Sequence, residues 1–225
     1  MRPTRIEGLV LACLLSACTV TSREPLPNLM TAVPGASQAQ SACAAPFPRG
    51  RWQLVHAIAF HLADGSSGDA LGVLLLDGRK INCALMTVEG LTLFEARSSG
   101  PEDLEVVRAL PPFANRHFAA GLMSDLRTLI QPPVGLVEYG SLADGSPVCR
   151  SLAGREVTDI LPQPDGCWQL HTYSDQRRTR TVAARACEPA GSAVLPRPLE
   201  LTAPGPAGYT LNLRLISAEP LPAAR

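Results

Sequence analysis

The stretch "ALGVLLLDGRKINCALMTVEGLTLFEAR" (residues 70–97) alternates short apolar runs with tight turns. "DGRK" separates the first two runs, and Glu89-Gly90 separates the next two. Aspartate or glutamate followed by glycine between two apolar runs is typical of a β-hairpin. Parallel strands need a long crossover, usually a helix, and no such segment intervenes. The stretch therefore predicts an antiparallel meander of three strands rather than βαβ units.

The same pattern continues on both sides of this stretch. Residues 52–62 alternate apolar and other side chains, which is typical of a half-buried strand. Its apolar face would carry Trp52, Leu54, Ile58, Phe60 and Leu62. Further strand-like runs cover residues 103–110, 155–162, 167–173, 178–187, 197–204 and 208–217. About ten strands are thus predicted, and such a sheet must curl or close to cover its apolar face.

A single amphipathic helix interrupts the strands at "NRHFAAGLMSDLRTLI" (residues 115–130). Asn115 can cap its first turn, and Pro132-Pro133 end it. Its apolar stripe contains Phe118, Leu122, Met123, Leu126, Leu129 and Ile130. Asp125 and Arg127 flank the stripe, and we expect them to face solvent or to tie the helix to a loop. The helix is the obvious cover for the sheet, which makes the fold mainly β with an α+β arrangement.

The N-terminus resembles a bacterial lipoprotein signal. "LVLACLLSAC" (residues 9–18) follows Arg2 and Arg5 and is too short for the roughly 20 apolar residues of a membrane span. Its last four residues resemble a lipobox, which implies a signal peptide over residues 1–17 and lipid (thioether and palmitate-like acyl chains) on Cys18. Thr19 in place of aspartate favours the periplasm-facing side of the outer membrane. An ordinary signal peptide or a buried helix is the alternative.

Residues 18–48 are rich in proline, serine and alanine and have no periodic pattern. This composition is typical of a flexible tether. We therefore expect a folded domain over residues 49–218, held at the membrane through the lipid on Cys18.

Cysteine usage fits an exported protein. Of seven cysteines, five remain once Cys13 in the signal peptide and the lipidated Cys18 are set aside. In an oxidising compartment they can form up to two disulfides and leave one free thiol. Cys167 and Cys187 flank two strand-like runs, so a hairpin between them would bring the pair together. The pairing of Cys43, Cys83 and Cys149 stays open.

No chemistry-bearing motif stands out. The net charge is zero, which gives no indication of a nucleic-acid partner. The sequence has no nucleophile elbow, phosphate loop or metal-ligand spacing, so we expect no catalytic residue, metal or cofactor. His56 lies in register with the apolar face of the first strand, where a half-buried histidine is the default. The basic cluster "DQRRTRTVAAR" (residues 175–185) is expected to be a solvated hairpin tip.

The order of these segments resembles the LolB-like outer-membrane lipoproteins. The resemblance spans residues 50–217 and is carried by "TVEGLTLFEAR" (87–97), "LPPF" (110–113), "FAAGLMSDLRTLIQPP" (118–133) and "GYTLNLRLI" (208–216). It is nearest to a branch encoded beside aryl-polyene or fatty-acid-type biosynthetic genes. LolB-like proteins also carry an exposed leucine on a protruding loop, whereas the turns at 63–69 and 77–80 have no apolar tip.

The resemblance implies a strongly curved, incomplete antiparallel β-barrel covered by one or more helices. It also implies an apolar cavity for acyl chains, lipids or lipoprotein cargo. By this analogy the cavity residues are Phe94, Phe113, Phe118, Leu122, Met123, Leu126 and Leu129. The expected function is to bind or locally transfer acyl chains, as a carrier or chaperone. The alternatives are an adaptor lipoprotein with envelope-protein partners, or an envelope enzyme built around His56 or His171.

Overall fold

A computed structural model describes residues 24–30, 41–100, 103–111, 113–191 and 193–222. The predicted signal peptide and Cys18 lie outside the described residues. Within them the chain forms fourteen strands and one helix longer than a single turn. The elements are β1 (Arg51–Leu62), β2 (Ser67–Asp77), β3 (Lys80–Met86), β4 (Thr92–Gly100), β5 (Asp103–Ala109), α1 (Arg116–Ile130), β6 (Leu136–Ser141), β7 (Pro147–Ala153), β8 (Glu156–Pro162), β9 (Trp168–Ser174), β10 (Arg177–Ala184), β11 (Cys187–Ala190), β12 (Ala193–Pro196), β13 (Pro198–Ala203) and β14 (Tyr209–Leu221). No helix in the described ranges combines the length and the apolarity needed to span a bilayer.

Twelve strands form one antiparallel sheet, in the order β5-β4-β3-β2-β1-β14-β13-β10-β9-β8-β7-β6. The sheet is curved but does not close into a barrel, so β5 and β6 are its two edges. β11 and β12 form a separate hairpin. The predicted fold class is confirmed, but β6, β7, β11 and β12 were not predicted, and they account for the excess over ten strands.

The meander of residues 70–97 forms β2, β3 and β4 with the predicted hairpin links. β1 pairs with β2 on one side and with β14 on the other, which joins the two ends of the domain at the middle of the sheet. We call the face that packs against α1 the inner face. Trp52, Leu54 and Leu74 lie on it and are buried, and the alternation along β1 and β2 therefore defines the core.

The helix α1 is held at both ends by polar contacts. At its start the Asn115 side chain accepts a hydrogen bond from the amide of His117 (2.9 Å). At its end Gln131 donates to the carbonyl of Arg79 in the β2–β3 turn (3.0 Å). Arg127 donates to the carbonyl of Gly100 (2.6 Å) and to the hydroxyl of Ser98, so it ties the helix to the end of β4. The sequence led us to expect Arg127 in solvent or tied to a loop, whereas its partners lie in a strand.

Residues 24–30, here called the strap, lie against the sheet rather than in solvent. The strap begins at the β9–β10 turn, where Glu24 pairs with Arg178 at 2.7 Å and Pro25 forms a β-bridge with Arg177. It ends at Met30, whose amide donates to the carbonyl of Ser141 at the edge of β6 (2.9 Å). The flexible tether predicted over residues 18–48 is therefore wrong for this segment, and Arg178 is not simply solvated.

Residues 41–48 also belong to the folded domain. Phe47 is 3% exposed within the core, and the carbonyl of Ala45 accepts a hydrogen bond from Val194 of β12 (2.9 Å). A disulfide joins Cys43 to Cys149 of β7. A second disulfide joins Cys167 to Cys187, the pair that the sequence favoured, and Cys83 is free and buried. The domain begins before the predicted residue 49. The sequence did not indicate this, because one buried aromatic (Phe47) and one cysteine (Cys43) make no periodic pattern.

The two disulfides give a testable difference in stability. The Cys43–Cys149 bond closes a loop of 106 residues, and the Cys167–Cys187 bond closes one of 20. Chain entropy of the unfolded state grows with loop length, so removing the longer link should cost about 1.5 kcal/mol more. Urea unfolding of Cys43→Ala/Cys149→Ala and of Cys167→Ala/Cys187→Ala measures this difference. An equal loss, or a larger loss for the shorter loop, would contradict it.

Candidate functional site

An apolar cavity of about 80 Å³ lies between α1 and the inner face of the sheet. Its walls come from three places: one side of α1, the inner face of β1, β2, β3, β9, β13 and β14, and the segment 46–48 with β12. The aliphatic side chains in the wall include Leu54, Ile58, Leu74, Leu85, Leu195, Leu199, Leu211, Leu213 and Leu215. The cavity is thus lined almost entirely by hydrocarbon, which suits an apolar guest.

Gly72 is part of the cavity wall. It lies on the inner face of β2, directly opposite His56 of β1. A Cβ at this position would lie 2.6 Å from Cδ1 of Ile58, so any side chain here would displace Ile58. The glycine therefore lets Ile58 lie close over the β2 backbone, and both residues line the cavity.

Three of the seven predicted cavity residues line the cavity: Leu122, Leu126 and Leu129 of α1. Met123 and Phe94 are fully buried in the core instead, and the sulfur of Met123 lies 3.5 Å from that of Cys83. Phe94, Phe113 and Phe118 form an aromatic cluster, with Phe118 centred 5.7 Å from Phe94 and 5.0 Å from Phe113. The prediction that these four residues line the cavity is wrong. The three phenylalanines pack the start of the helix onto β4, and Met123 packs the middle of the helix onto β3.

A buried polar contact fixes the middle of α1. Asp125 is 4% exposed, and its carboxylate accepts hydrogen bonds from Nε of Arg180 on β10 (2.5 Å) and from the hydroxyl of Tyr209 on β14. The expectation that Asp125 faces solvent or a loop is therefore wrong, as is the solvated tip expected for Arg180. Asp125 shares the inward face with Leu122 and Leu129, which explains its position in the cavity wall.

The electrostatics of this contact follow from burial. Loss of water raises the pKa of Asp125, while Arg180 and the Tyr209 hydroxyl oppose that shift. Burial and the neighbouring carboxylate raise the pKa of Tyr209 to about 12. Burial acts to lower the pKa of Arg180, but Asp125 and Tyr209 outweigh it, and the net shift is upward. Tyr209 and Arg180 therefore remain protonated donors at neutral pH.

His56 is the other polar residue of the wall that the sequence singled out. Burial lowers the pKa of its imidazole from 6.5 to about 4, so the ring is neutral at pH 7. His171 lies on the opposite face of the sheet, since its neighbour Leu170 belongs to the core. The two histidines that the enzyme hypothesis invoked are therefore not brought together. The described residues contain no group of three potential metal ligands.

An exposed apolar turn was missed in the sequence. Val88 and Leu91 in the β3–β4 turn are 68% and 53% exposed, and Leu62 at the end of the neighbouring β1 is 41% exposed. We predicted polar loop tips for only two turns, the β1–β2 turn and the β2–β3 turn. The signal was present in "TVEGL" (87–91), where two apolar residues flank Glu89-Gly90.

No protein-family model matches this chain, and no curated protein matches its sequence. Solved structures match it in fold. A LolA-superfamily protein from Nitrosomonas europaea superposes with a TM-score of 0.53 at 14% identity, over 86% of this chain and 96% of that one. A DUF1329-family protein from Desulfovibrio piger gives 0.50 at 8% identity, over 84% and 93%. The chain therefore has a LolA-like fold, whereas membership of the LolB-like branch stays a prediction.

The Asp125 contact gives a prediction about stability. Asp125→Ala leaves the half-buried guanidinium of Arg180 without its partner, which should lower the free energy of unfolding by about 2–3 kcal/mol. Tyr209→Phe removes one hydrogen bond and should cost about 1 kcal/mol. Asp125→Leu/Arg180→Met removes both charges and should be milder than Asp125→Ala. Chemical unfolding of the three variants tests this, and a double variant as unstable as Asp125→Ala would contradict it.

His56 predicts a pH dependence of stability. Its pKa is lower in the folded chain than in the unfolded chain, so the unfolded chain binds more protons between pH 6.5 and 4. Stability falls as the pH falls through this window, and His56 should contribute a loss of about 2 kcal/mol between pH 7 and 5. Urea unfolding of His56→Leu at both pH values should show a correspondingly weaker dependence than the wild type. His117→Leu, at an exposed position, is the matched control. Equal dependence in wild type and His56→Leu would contradict the assignment.

Proposed function

We propose that this protein is a membrane-anchored bacterial lipoprotein that binds acyl chains or lipids in the cavity under α1 and transfers them locally at the outer membrane. The observation that carries the proposal is an apolar cavity closed by a single helix. The LolA-like fold supports it, because a LolA-superfamily protein superposes on this chain over most of its length.

The size of the cavity indicates how a chain would enter. Ligand pockets usually have volumes of about 300–1,000 Å³, and the present cavity of about 80 Å³ is smaller. A long acyl chain therefore needs α1 to move away from the sheet. The hydrocarbon would then lie between the leucines of α1 and the sheet and cover both, so little apolar area would become exposed. The polar contacts of Asp125, Arg127 and Gln131 are what the movement must break.

The geometry also supports action at a membrane surface. The β1–β2, β3–β4 and β9–β10 turns lie at the same end of the antiparallel strands. The exposed Val88 and Leu91 belong to this end, and the strap begins there at Glu24. Cys18 precedes Glu24 by six residues, which reach about 20 Å when extended. A lipid on Cys18 would thus hold this end of the sheet close to the bilayer.

An adaptor lipoprotein is the second candidate. Val134, Leu136 and Val137, in and before the edge strand β6, are 57%, 65% and 39% exposed. An apolar strand at a sheet edge is a site where a partner strand can add. This candidate predicts stable protein partners from the envelope and no bound lipid.

Filling the cavity tests the carrier function. Leu126→Trp places a larger side chain in the cavity wall and should weaken binding of a fluorescent long-chain fatty acid at least tenfold. The protein is the full chain with Cys18→Ala, free of detergent. Ala120→Trp adds the same side chain at an exposed position of α1 and should bind like the parent. Native mass spectrometry of the parent should show bound lipid. Absence of both bound lipid and probe binding would favour the adaptor.

A further inference from the structure

Two polar side chains of the cavity wall have nitrogens without partners. His56 is half-buried and lines the cavity, and no described residue forms a hydrogen bond or ion pair with its imidazole. Trp168, 2% exposed, also lines the cavity, and its Nε1 is buried without a partner within the described part of the chain. Asp125, by contrast, is engaged by Arg180 and Tyr209. Buried polar groups are nearly always hydrogen-bonded, so the unpaired indole N–H of Trp168 calls for an explanation, and the half-buried imidazole of His56 offers a ligand a second polar group in an otherwise apolar wall.

We infer that the cargo carries a neutral oxygen group, an ester carbonyl or a hydroxyl, that hydrogen-bonds to His56 inside the cavity. The inference rests on the proposed function and narrows its ligand from any hydrocarbon to acyl chains with such a group. His56 is then a specificity-determining residue.

The position of His56 makes it accessible to a ligand. On the β2 side it faces Gly72, which has no side chain, and on the β14 side it faces Leu215. Leu54 and Ile58, the next inward residues of β1, line the same cavity. The register of β1 against β14 shifts between Val55 and His56, so His56 lies at an irregular point of the ladder. Neither neighbouring side chain can form a hydrogen bond with the ring, because one is absent and the other is aliphatic.

The chemistry of the ring selects the type of group. Burial keeps the imidazole neutral at pH 7, since it lowers the pKa to about 4. A neutral imidazole has one N–H donor and one acceptor nitrogen. The donor suits an ester carbonyl, and the two nitrogens together suit a hydroxyl, which both donates and accepts. A plain hydrocarbon leaves the ring unpaired.

Competition binding tests the inference. An alkane, a fatty alcohol and a fatty-acid methyl ester of one medium chain length displace the fluorescent fatty acid from the full chain with Cys18→Ala. We expect the alcohol and the ester to bind about tenfold more tightly than the alkane. In His56→Leu the three should bind within twofold of one another. His117→Leu, exposed in the first turn of α1, should keep the preference.

His56→Gln retains hydrogen-bonding capacity and should recover part of the preference, which keeps the test valid if His56→Leu does not fold. If all three compounds bind equally well to the protein that retains His56, the inference is overturned and the proposed function is left intact. A preference that persists in His56→Leu would also overturn it. Failure of every compound, including the probe, to bind would overturn the proposed function itself.

Discussion

The buried carboxylate of Asp125 is the contact on which the closed form of the domain depends. It lies in the middle of the only long helix of the described chain and accepts hydrogen bonds from β10 and β14. The leucines around it also pack against the sheet, but apolar contacts have no preferred geometry and do not fix where the helix lies. The carboxylate therefore sets the position of the helix along the sheet. Under the proposed function, opening would exchange these few polar contacts for contacts with water.

The cavity follows from the mismatch between one helix and a sheet of twelve strands. A curved sheet of this size presents more inward apolar side chains than fifteen helical residues can cover. Part of the remainder is covered by residues 41–48 and by the β11–β12 hairpin. What is left unfilled is the space between Leu122 and Leu126 of the helix and the central strands.

The edge strand β5 is irregular in its pairing with β4, which discourages addition of further strands there.

Much of the fold could be predicted from the sequence, because β1 to β5 and β8 to β10 carry hairpin turns and period-2 alternation. β6 and β7 were missed although Asp144-Gly145 separates them, since their apolar runs are short and mixed. The strap and residues 41–48 could not be predicted, because single buried residues such as Phe47 leave no pattern. Three helix leucines of the site were found from helical spacing alone. Asp125 occurs at the same spacing, but its partners lie 55 and 84 residues away in the chain, where local patterns carry no information.

The proposed binding of an acyl chain in this cavity requires α1 to move away from the sheet. Electron paramagnetic resonance between spin labels at Ala120 on the outer side of α1 and Arg214 on the exposed face of β14 measures this movement directly. We expect one narrow distance distribution without ligand and a longer or broader one with saturating fatty acid. An unchanged distribution in protein shown to hold the fatty acid would contradict a mobile helix.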